Sequence, residues 1–159
     1  MKTKNIIITL FLSIVFASCS NKTDVMFMGM NIKSPCESFI RHLEKSGFHK
    51  DGDTYKGKYL GEYVFVHLGD EINGHYKTVL VTALFAKTNE SNYALGKQYF
   101  KKVCREVKKE HSGFEEEEDN NNETLSKEFY GESDGTIKIT FAGEELAGMV
   151  VTIYDTGEK

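Results

Sequence analysis

Histidine and cysteine are the residue types of this chain best suited to metal or nucleophilic chemistry, and the histidines are scattered. No HxxxH or HExxH pair occurs among His42, His49, His67, His75 and His111. His67 and His75 could face each other across residues 69–74, but two imidazoles need a further ligand such as Asp70 or Glu71 to hold zinc. We therefore predict no metal site and no cofactor.

Two acidic segments carry ligand types that calcium prefers. Asp51-Gly52-Asp53 lacks the third ligand position, the central glycine and the closing glutamate of an EF-hand loop, which favours a simple turn. The run Glu115–Glu118, with Asp119 and Glu123, could gather a cation weakly, but blocks of like charge are typical of solvated loops. We predict an acidic loop over residues 115–123, and cation binding by it stays open.

The chain shows no pattern of a nucleophilic enzyme. There is no Gly-x-Ser-x-Gly elbow and no phosphate-cradling glycine motif. Cys36 and Cys104 lie on the apolar sides of predicted helices, where a thiol is commonly a small buried hydrophobe. In an exported protein a Cys36–Cys104 disulfide is the alternative. The sequence therefore favours a protein that is not an enzyme.

The first 21 residues, MKTKNIIITLFLSIVFASCSN, have the form of an export signal. Two lysines precede an apolar run over residues 6–16, which is too short to span a bilayer as a helix. Two small residues then come directly before Cys19, as a signal peptidase requires. This pattern predicts export.

The junction Phe16-Ala17-Ser18-Cys19 resembles the lipobox of secreted bacterial lipoproteins, although that family usually has leucine where this chain has Phe16. The resemblance implies that residues 1–18 are a signal peptide and that Cys19 is lipidated on its thiol and amine. Residues 19–24 would form a lipidated tether to the outer membrane of the cell envelope, facing the periplasm or the exterior. An ordinary secretory signal is the alternative.

The charge of the chain argues against nucleic acid as a partner. Lys and Arg number 20 against 24 acids, for a net charge of −4, and loss of residues 1–18 removes Lys2 and Lys4 to leave −6. A net acidic chain gains no long-range attraction to phosphate backbones or anionic headgroups. Membrane attachment would therefore depend on the lipid.

Two segments carry helical patterns, and each ends in Ser-Gly-Phe. The motif Ser-Pro-Cys-Glu at 34–37 predicts a capping box at the start of a helix over residues 35–46. An apolar stripe predicts a second helix over residues 92–111. Gly47 and Gly113 are predicted to take the left-handed position after each helix.

Strand patterns fill most of the remaining sequence. They predict strands at residues 25–32, 54–58, 61–68, 75–86, 124–130, 136–142 and 147–154. The runs at 63–66 and 79–81 are apolar on consecutive residues, which predicts central strands covered on both faces. The result is one α+β domain over 25–159, with two helices packed on an antiparallel sheet. Its order is β-αβββ-αβββ, with sub-repeats 25–90 and 91–159.

In that element order the chain resembles the tandem helix-on-sheet design of the β-lactamase inhibitor protein family. Such a resemblance implies a fold and carries no function by itself. The Phe27-Met28-Gly29 strand, which leads into a capped helix ending in Gly-Phe, is also similar to small bacterial lipoproteins.

Tyrosines provide candidate anchors for a binding surface. Tyr55, Tyr59 and Tyr63 recur at a spacing of four and would share one face of a continuous strand. Packing beneath the helix over 92–111 is favoured over exposure, because that helix must cover part of the sheet.

Strand 136–142 is predicted to present the working surface of the sheet. Its apolar residues alternate with outward Thr136, Lys138 and Thr140. Tyr130 and Tyr154 flank this strand and could supply aromatic anchors.

We therefore predict a membrane-anchored lipoprotein that acts as a non-enzymatic binding or protein-interaction module in the cell envelope. Its partner would be an envelope or extracellular protein or a glycan. A hydrolytic enzyme on the secreted side, an inhibitor of an envelope enzyme, or a structural envelope component are the alternatives.

Lipidation can be tested directly at Cys19. Expressed in a bacterium, the mature protein should begin at Cys19, carry acyl mass on its N-terminal peptide and partition into detergent. Cys19→Ala should remain uncleaved by the lipoprotein peptidase or become mislocalised. A mature chain that begins elsewhere, or that partitions into water, would contradict the prediction.

Overall fold

Two helices and one large antiparallel sheet make up most of the computed structural model, which describes residues 24–86, 92–120, 124–143 and 147–159. The helices are α1 (Cys36–Lys45) and α2 (Asn92–Glu110). The strands are β1 (Met26–Phe27), β2 (Met30–Asn31), β3 (His49–Asp51), β4 (Thr54–Tyr59), β5 (Glu62–Leu68), β6 (Glu71–Ile72), β7 (His75–Tyr76), β8 (Thr78–Phe85), β9 (Glu115–Asn120), β10 (Thr124–Tyr130), β11 (Thr136–Gly143) and β12 (Gly148–Asp155). The predicted α+β class is confirmed.

The large sheet has the order β3-β4-β5-β8-β12-β11-β10-β9, and all neighbours are antiparallel. Strands β3, β4, β5 and β8 follow α1, whereas β9 to β12 follow α2, so each helix precedes four strands of the sheet. The last strands of these two sets, β8 and β12, pair with each other at the centre of the sheet, from Phe85↔Gly148 to Thr78↔Asp155. Each helix is thus followed by one sheet strand more than the sequence pattern predicted.

Both helices pack on the same face of the sheet. Gly96 of α2 lies directly against the ring of Phe141 in β11, so a methyl group at this position would collide with that ring. At the other side, Phe48 follows α1 and its ring would lie 2.6 Å from a Cβ at Gly57 of β4. These contacts place the core between the helices and one face. The opposite face, which we call the uncovered face, is not covered by any helix or strand of the described residues.

The end of α1 follows the sequence prediction, but its start does not. Gly47 has φ +88°, and the Phe48 N–H donates to the Leu43 carbonyl at 3.0 Å, which is the pattern of a Schellman ending. At the N-terminus Pro35 occupies the cap position and no side chain caps the helix, so the capping box at 34–37 does not form.

The end of α2 also differs from the prediction. Gly113 lies outside the positive-φ region. The His111 N–H donates to the Val107 carbonyl at 2.8 Å, and the Phe114 N–H donates to His111 at 3.0 Å. Because successive right-handed turns carry the chain into β9, no left-handed residue is needed there.

Three predicted segments have a different local structure. Residues 25–32 form the hairpin β1–β2, because Met28 and Gly29 take φ of 54° and 76° in a tight turn. Residues 69–76 form a second small hairpin, β6–β7, so the strand predicted over 75–86 is divided. Residues 115–120 of the predicted acidic loop form the edge strand β9, paired along its length with β10.

The hairpin β1–β2 fills the space between the two helices. The Phe27 ring is fully buried, with its centroid 5.4 Å from that of Tyr59 and 5.1 Å from that of Tyr154. The Met26 N–H donates to Nε2 of His111 at 2.8 Å, and the Gly29 N–H donates to Oε1 of Glu110 at 3.0 Å. The last residue of α2 and the residue after it therefore accept two of the hydrogen bonds that fix this hairpin.

The neutral ring of His111 is needed for that attachment, because Nδ1–H donates to the Val107 carbonyl at 2.9 Å while Nε2 accepts from Met26. Burial lowers the pKa of His111 below its ordinary 6.5. The unfolded chain therefore takes up the proton first. The stability that depends on the neutral ring is complete above pH 6.5 and is lost as the pH falls through 6.5 toward the folded-state pKa.

We expect the urea midpoint of the protein to fall between pH 7 and pH 5, and the His111→Gln variant to show a flatter profile. His49→Gln, on an exposed strand, should keep the slope of the parent protein. Burial raises the pKa of the neighbouring Glu110 carboxyl, which gives the opposite dependence, but this contribution is common to all three proteins. Equal slopes in the parent and His111→Gln would contradict the assignment.

Candidate functional site: the uncovered face of the sheet

The face of the sheet opposite the helices carries a cluster of exposed large hydrophobic side chains. Among the described residues, the side chains in this class are Tyr63 (59 % exposed), Leu84 (59 %), Met149 (40 %), Ile153 (37 %) and Tyr130 (36 %). Strand alternation and pairing register place all five on the uncovered face. An exposed hydrophobic residue is common by itself, but this concentration on one face is characteristic of an interaction surface.

The central strands β5, β8 and β12 form the apolar part of this face. Leu84 lies opposite Met149 and Leu80 lies opposite Ile153 across the β8–β12 pair. We call the outward hydrophobic residues of these strands the apolar stripe, and they are Tyr63, Phe65, Leu80, Leu84, Met149, Val151 and Ile153. Neighbouring members stand within side-chain contact range, so they present a continuous surface.

The strands on one side of the stripe carry a basic flank, made of His49, Lys56, Lys58 and His67. The Lys56 ammonium lies 5.5 Å from the centroid of the Phe65 ring, and the Lys58 ammonium lies 5.0 Å from that of Tyr63. A depression of about 430 Å³ opens here between His49, Lys56, the two rings and Leu84. Cations thus border an aromatic concavity.

The strands on the other side carry an acidic flank, made of Glu115, Glu117, Asp119 and Glu128. A second depression of about 260 Å³ lies among Glu117, Asp119, Ser126, Glu128, Tyr130 and Lys138. Hydrogen bonds from Lys138 and Tyr130 hold the pKa of the Glu128 carboxyl below its ordinary value. The same bond to Glu128 raises the pKa of Tyr130 to about 12. The carboxylate is therefore charged and the phenol neutral at physiological pH.

Two of the three surface residues predicted from sequence lie on this face, and one does not. Lys138 and Tyr130 are exposed and bonded to Glu128. Tyr154 is fully buried against Phe27, so its prediction as an exposed anchor is wrong. Its register explains the difference, because Tyr154 pairs with Ile137 and Val79, whose side chains point to the core.

The tyrosines at spacing four are divided between the two faces. Tyr55 and Tyr59 are buried, whereas Tyr63 is exposed. Leu60 and Gly61 have φ of 51° and 92° and form the two-residue turn between β4 and β5. Because the chain reverses at this turn, the four-residue period does not continue on one face.

Cys36 and Cys104 are free, so the alternative of a disulfide does not describe this structure. Cys36 lies at the start of α1 beside Glu71 and Tyr76, whereas Cys104 lies on α2. Burial raises the pKa of Cys104 to about 12 and, with the nearby Glu71 charge, also raises that of Cys36. Neither thiol is therefore activated as a nucleophile. Cys19 lies outside the described residues.

The histidines do not converge on a site. His67 points outward from β5, while Nε2 of His75 lies 3.0 Å from Glu158. Within the described ranges, no group of three or more His, Cys, Asp or Glu side chains is placed to hold a metal ion.

A groove of about 690 Å³ lies on the helix side, between α2 and strands β9 and β10. Lys97, Lys101 and Arg105 border it, and Phe100, Cys104 and Leu125 form part of its wall. The ammonium of Lys127 in this groove lies 2.7 Å from the Glu116 carboxylate and 2.8 Å from the Glu118 carboxylate. Its positive charge therefore offsets part of the negative charge of β9.

Sequence reasoning did not identify the apolar stripe, although a signal was present. Residues 63–66 and 79–81 are apolar on consecutive positions, and this was predicted to mean cover on both faces. The inward positions Val64, Val66 and Val81 are indeed buried, but the outward positions face solvent. Because both helices pack on the same face of the sheet, the consecutive apolar residues here form a hydrophobic surface on the face that the described residues leave uncovered.

Tyr154 and Tyr130 offer a matched test of these positions. Tyr154→Ala should lower the free energy of unfolding by about 3–5 kcal/mol, because it empties a fully buried site. Tyr130→Ala should leave it almost unchanged, because that ring is on the surface. Urea melts of both variants provide the measurement, and similar losses would contradict the assigned faces.

Comparison with known proteins identifies no relative of this chain. No protein-family model, curated protein or solved structure matches the chain significantly. Within the described ranges, neither helix has the length and apolar character required to cross a membrane.

Proposed function

We propose that this protein is a non-enzymatic interaction module of the cell envelope, held at a membrane by a lipid on Cys19, and that its uncovered sheet face binds another protein. The observation that carries the proposal is the placement of every exposed large hydrophobic side chain of the described residues on that face. Removal of such a surface from water is the main favourable contribution to protein association.

The composition of the face favours a protein over a glycan. Leu84, Met149 and Ile153 are aliphatic, and they offer no hydrogen bonds to sugar hydroxyls. Tyr63 and Phe65 are large and rigid, as is typical of the residues that dominate protein interfaces. Charged flanks on two sides complete the usual arrangement of an apolar centre and a polar rim.

Inhibition of an envelope enzyme is a second candidate that uses the same face. The same exposed hydrophobic side chains support it, since an enzyme is one of the proteins that such a face would bind. An inhibitor would place the apolar stripe against the enzyme, so the identity of the bound protein distinguishes this candidate.

A photo-crosslinking amino acid placed at two exposed positions tests the proposal in intact cells. Substituted at Leu84 on the uncovered face, it should give a discrete protein adduct. Substituted at Lys102 on the solvent side of α2, it should give none. Introduction of Met149→Glu beside the Leu84 probe should reduce the adduct at least tenfold, because a charge is forced into the contact.

The fold of each variant is checked by its circular dichroism spectrum and thermal melt. An adduct from position 102 alone, or none from either position, would contradict the proposed face. An adduct that persists with Met149→Glu would show that the apolar stripe is not the contact.

A further inference from the structure

We infer that the uncovered face is self-complementary and that the partner it binds is a second copy of this chain, packed face to face about a two-fold axis parallel to the central strands. This inference rests on the proposed function, because it names the partner of the same surface. It depends on the position of the charges relative to the centre of the sheet.

The pair β8–β12 divides the eight-stranded sheet into two sets of four strands. The apolar stripe follows this centre and extends onto β5, while the basic and acidic flanks lie on opposite sides of it. One row across the face runs from His49 and Lys56 through Phe65, Thr82 and Val151 to Thr140, Ser126 and Asp119. The face therefore changes from basic to apolar to acidic along a single direction.

A two-fold axis parallel to the strands reverses that direction in the second copy. It places the basic flank of each copy over the acidic flank of the other, and the β8 and β12 residues of each apolar stripe over the β12 and β8 residues of the other. An axis perpendicular to the strands, also within the interface plane, would place each flank over its own equivalent and bring like charges together. Electrostatics thus selects one of the two symmetric arrangements.

Lys56 and Asp119 illustrate the expected contact. Both point outward in the same row, toward opposite margins of the sheet. In the selected arrangement, with the axis over the β8–β12 pair, Asp119 of each copy lies above His49 of the other. Lys56 lies one strand, about 4.8 Å, to the side, so its long side chain reaches Asp119 and the pair occurs twice in the dimer. Two charged residues differ in sign from the flank in which they lie. Asp51, at the end of β3, is an acid within the basic flank. Lys138, which pairs with Glu128, is a base within the acidic flank.

The available area is sufficient for a stable dimer. Eight strands at about 4.8 Å separation and about seven residues in length give a face of roughly 800 Å². A typical specific interface buries about 800 Å² on each partner. Stacked sheets with interleaved side chains pack about 10 Å apart, which is compatible with the long side chains of the stripe.

The edges of the sheet favour stacking over edge-to-edge pairing. All six residues of β9 are exposed and its sequence is EEEEDN, so two such edges would repel. At the opposite edge, β3 has only three residues. A second copy is therefore expected on the face and not beside it.

Charge exchange between two copies tests the inference on the full-length chain. Copies with different C-terminal tags are co-expressed, extracted in detergent and captured through one tag, and the other tag is quantified. The parent copies should capture each other. Lys56→Glu in both copies, or Asp119→Lys in both, should reduce capture at least tenfold, because each dimer then contains two like-charged contacts.

Co-expression of one Lys56→Glu copy with one Asp119→Lys copy should restore capture to near the parent amount, because both contacts again join opposite charges. Lys102→Glu, on the helix side, should leave capture unchanged, which controls for the change of charge itself. Loss of capture in the single charge reversals excludes copies that merely share a detergent micelle, because sharing a micelle does not depend on Lys56 or Asp119. Circular dichroism melts confirm that each variant is folded.

Absence of capture between parent copies, or unchanged capture with either single charge reversal, would overturn the dimer. So would failure of the exchanged pair to restore capture. The mass of the adduct formed from position 84 separates this result from the proposed function. An adduct with a different protein would contradict self-association and leave the interaction face in place, whereas absence of any adduct would remove both.

Discussion

The antiparallel pairing of β8 with β12 is the interaction on which the rest of the structure depends. It joins the strands that follow α1 to the strands that follow α2 over eight residue pairs, and it is the only place in the described sheet where the two sets meet. Val79, Ala83, Val150 and Tyr154 turn inward along this pair and are buried, so the same register that joins the sets also creates the centre of the core. A shift by one residue would exchange these side chains with the outward hydrophobic ones.

The uncovered face follows from the small number of helices. With α1 of 10 residues and α2 of 19, helical cover is available for one face of eight strands. A sheet with one solvated face normally places polar side chains there, and the flanks of this sheet do so. The centre differs, because both faces of β5, β8 and β12 carry hydrophobic residues. The surface is therefore one of two hydrophobic layers, of which the described part of the chain covers only the inner one.

Local sequence signals predicted most of the helices and strands. The face of the sheet on which each side chain lies depends on the pairing register of the strands, which local signals do not determine. Gly47 marked the end of α1 because its left-handed backbone depends on neighbouring residues alone. Tyr154 could not be assigned from sequence, since its face is set by pairing with Val79, far away along the chain. The strand β9 was also missed, because its repelling acids are held by backbone pairing with β10 and by ion pairs with Lys127, which only the tertiary structure brings close.

The small hairpin β1–β2 also connects the two sets of strands. His42 of α1 and His111, which directly follows α2, bond to the backbone of this hairpin. The buried ring of Phe27 packs on Tyr59 of the first set and on Tyr154 of the second. The two sets are therefore fastened to each other twice, once within the sheet and once above its inner face, and separating them would have to break both the central strand pair and the hairpin.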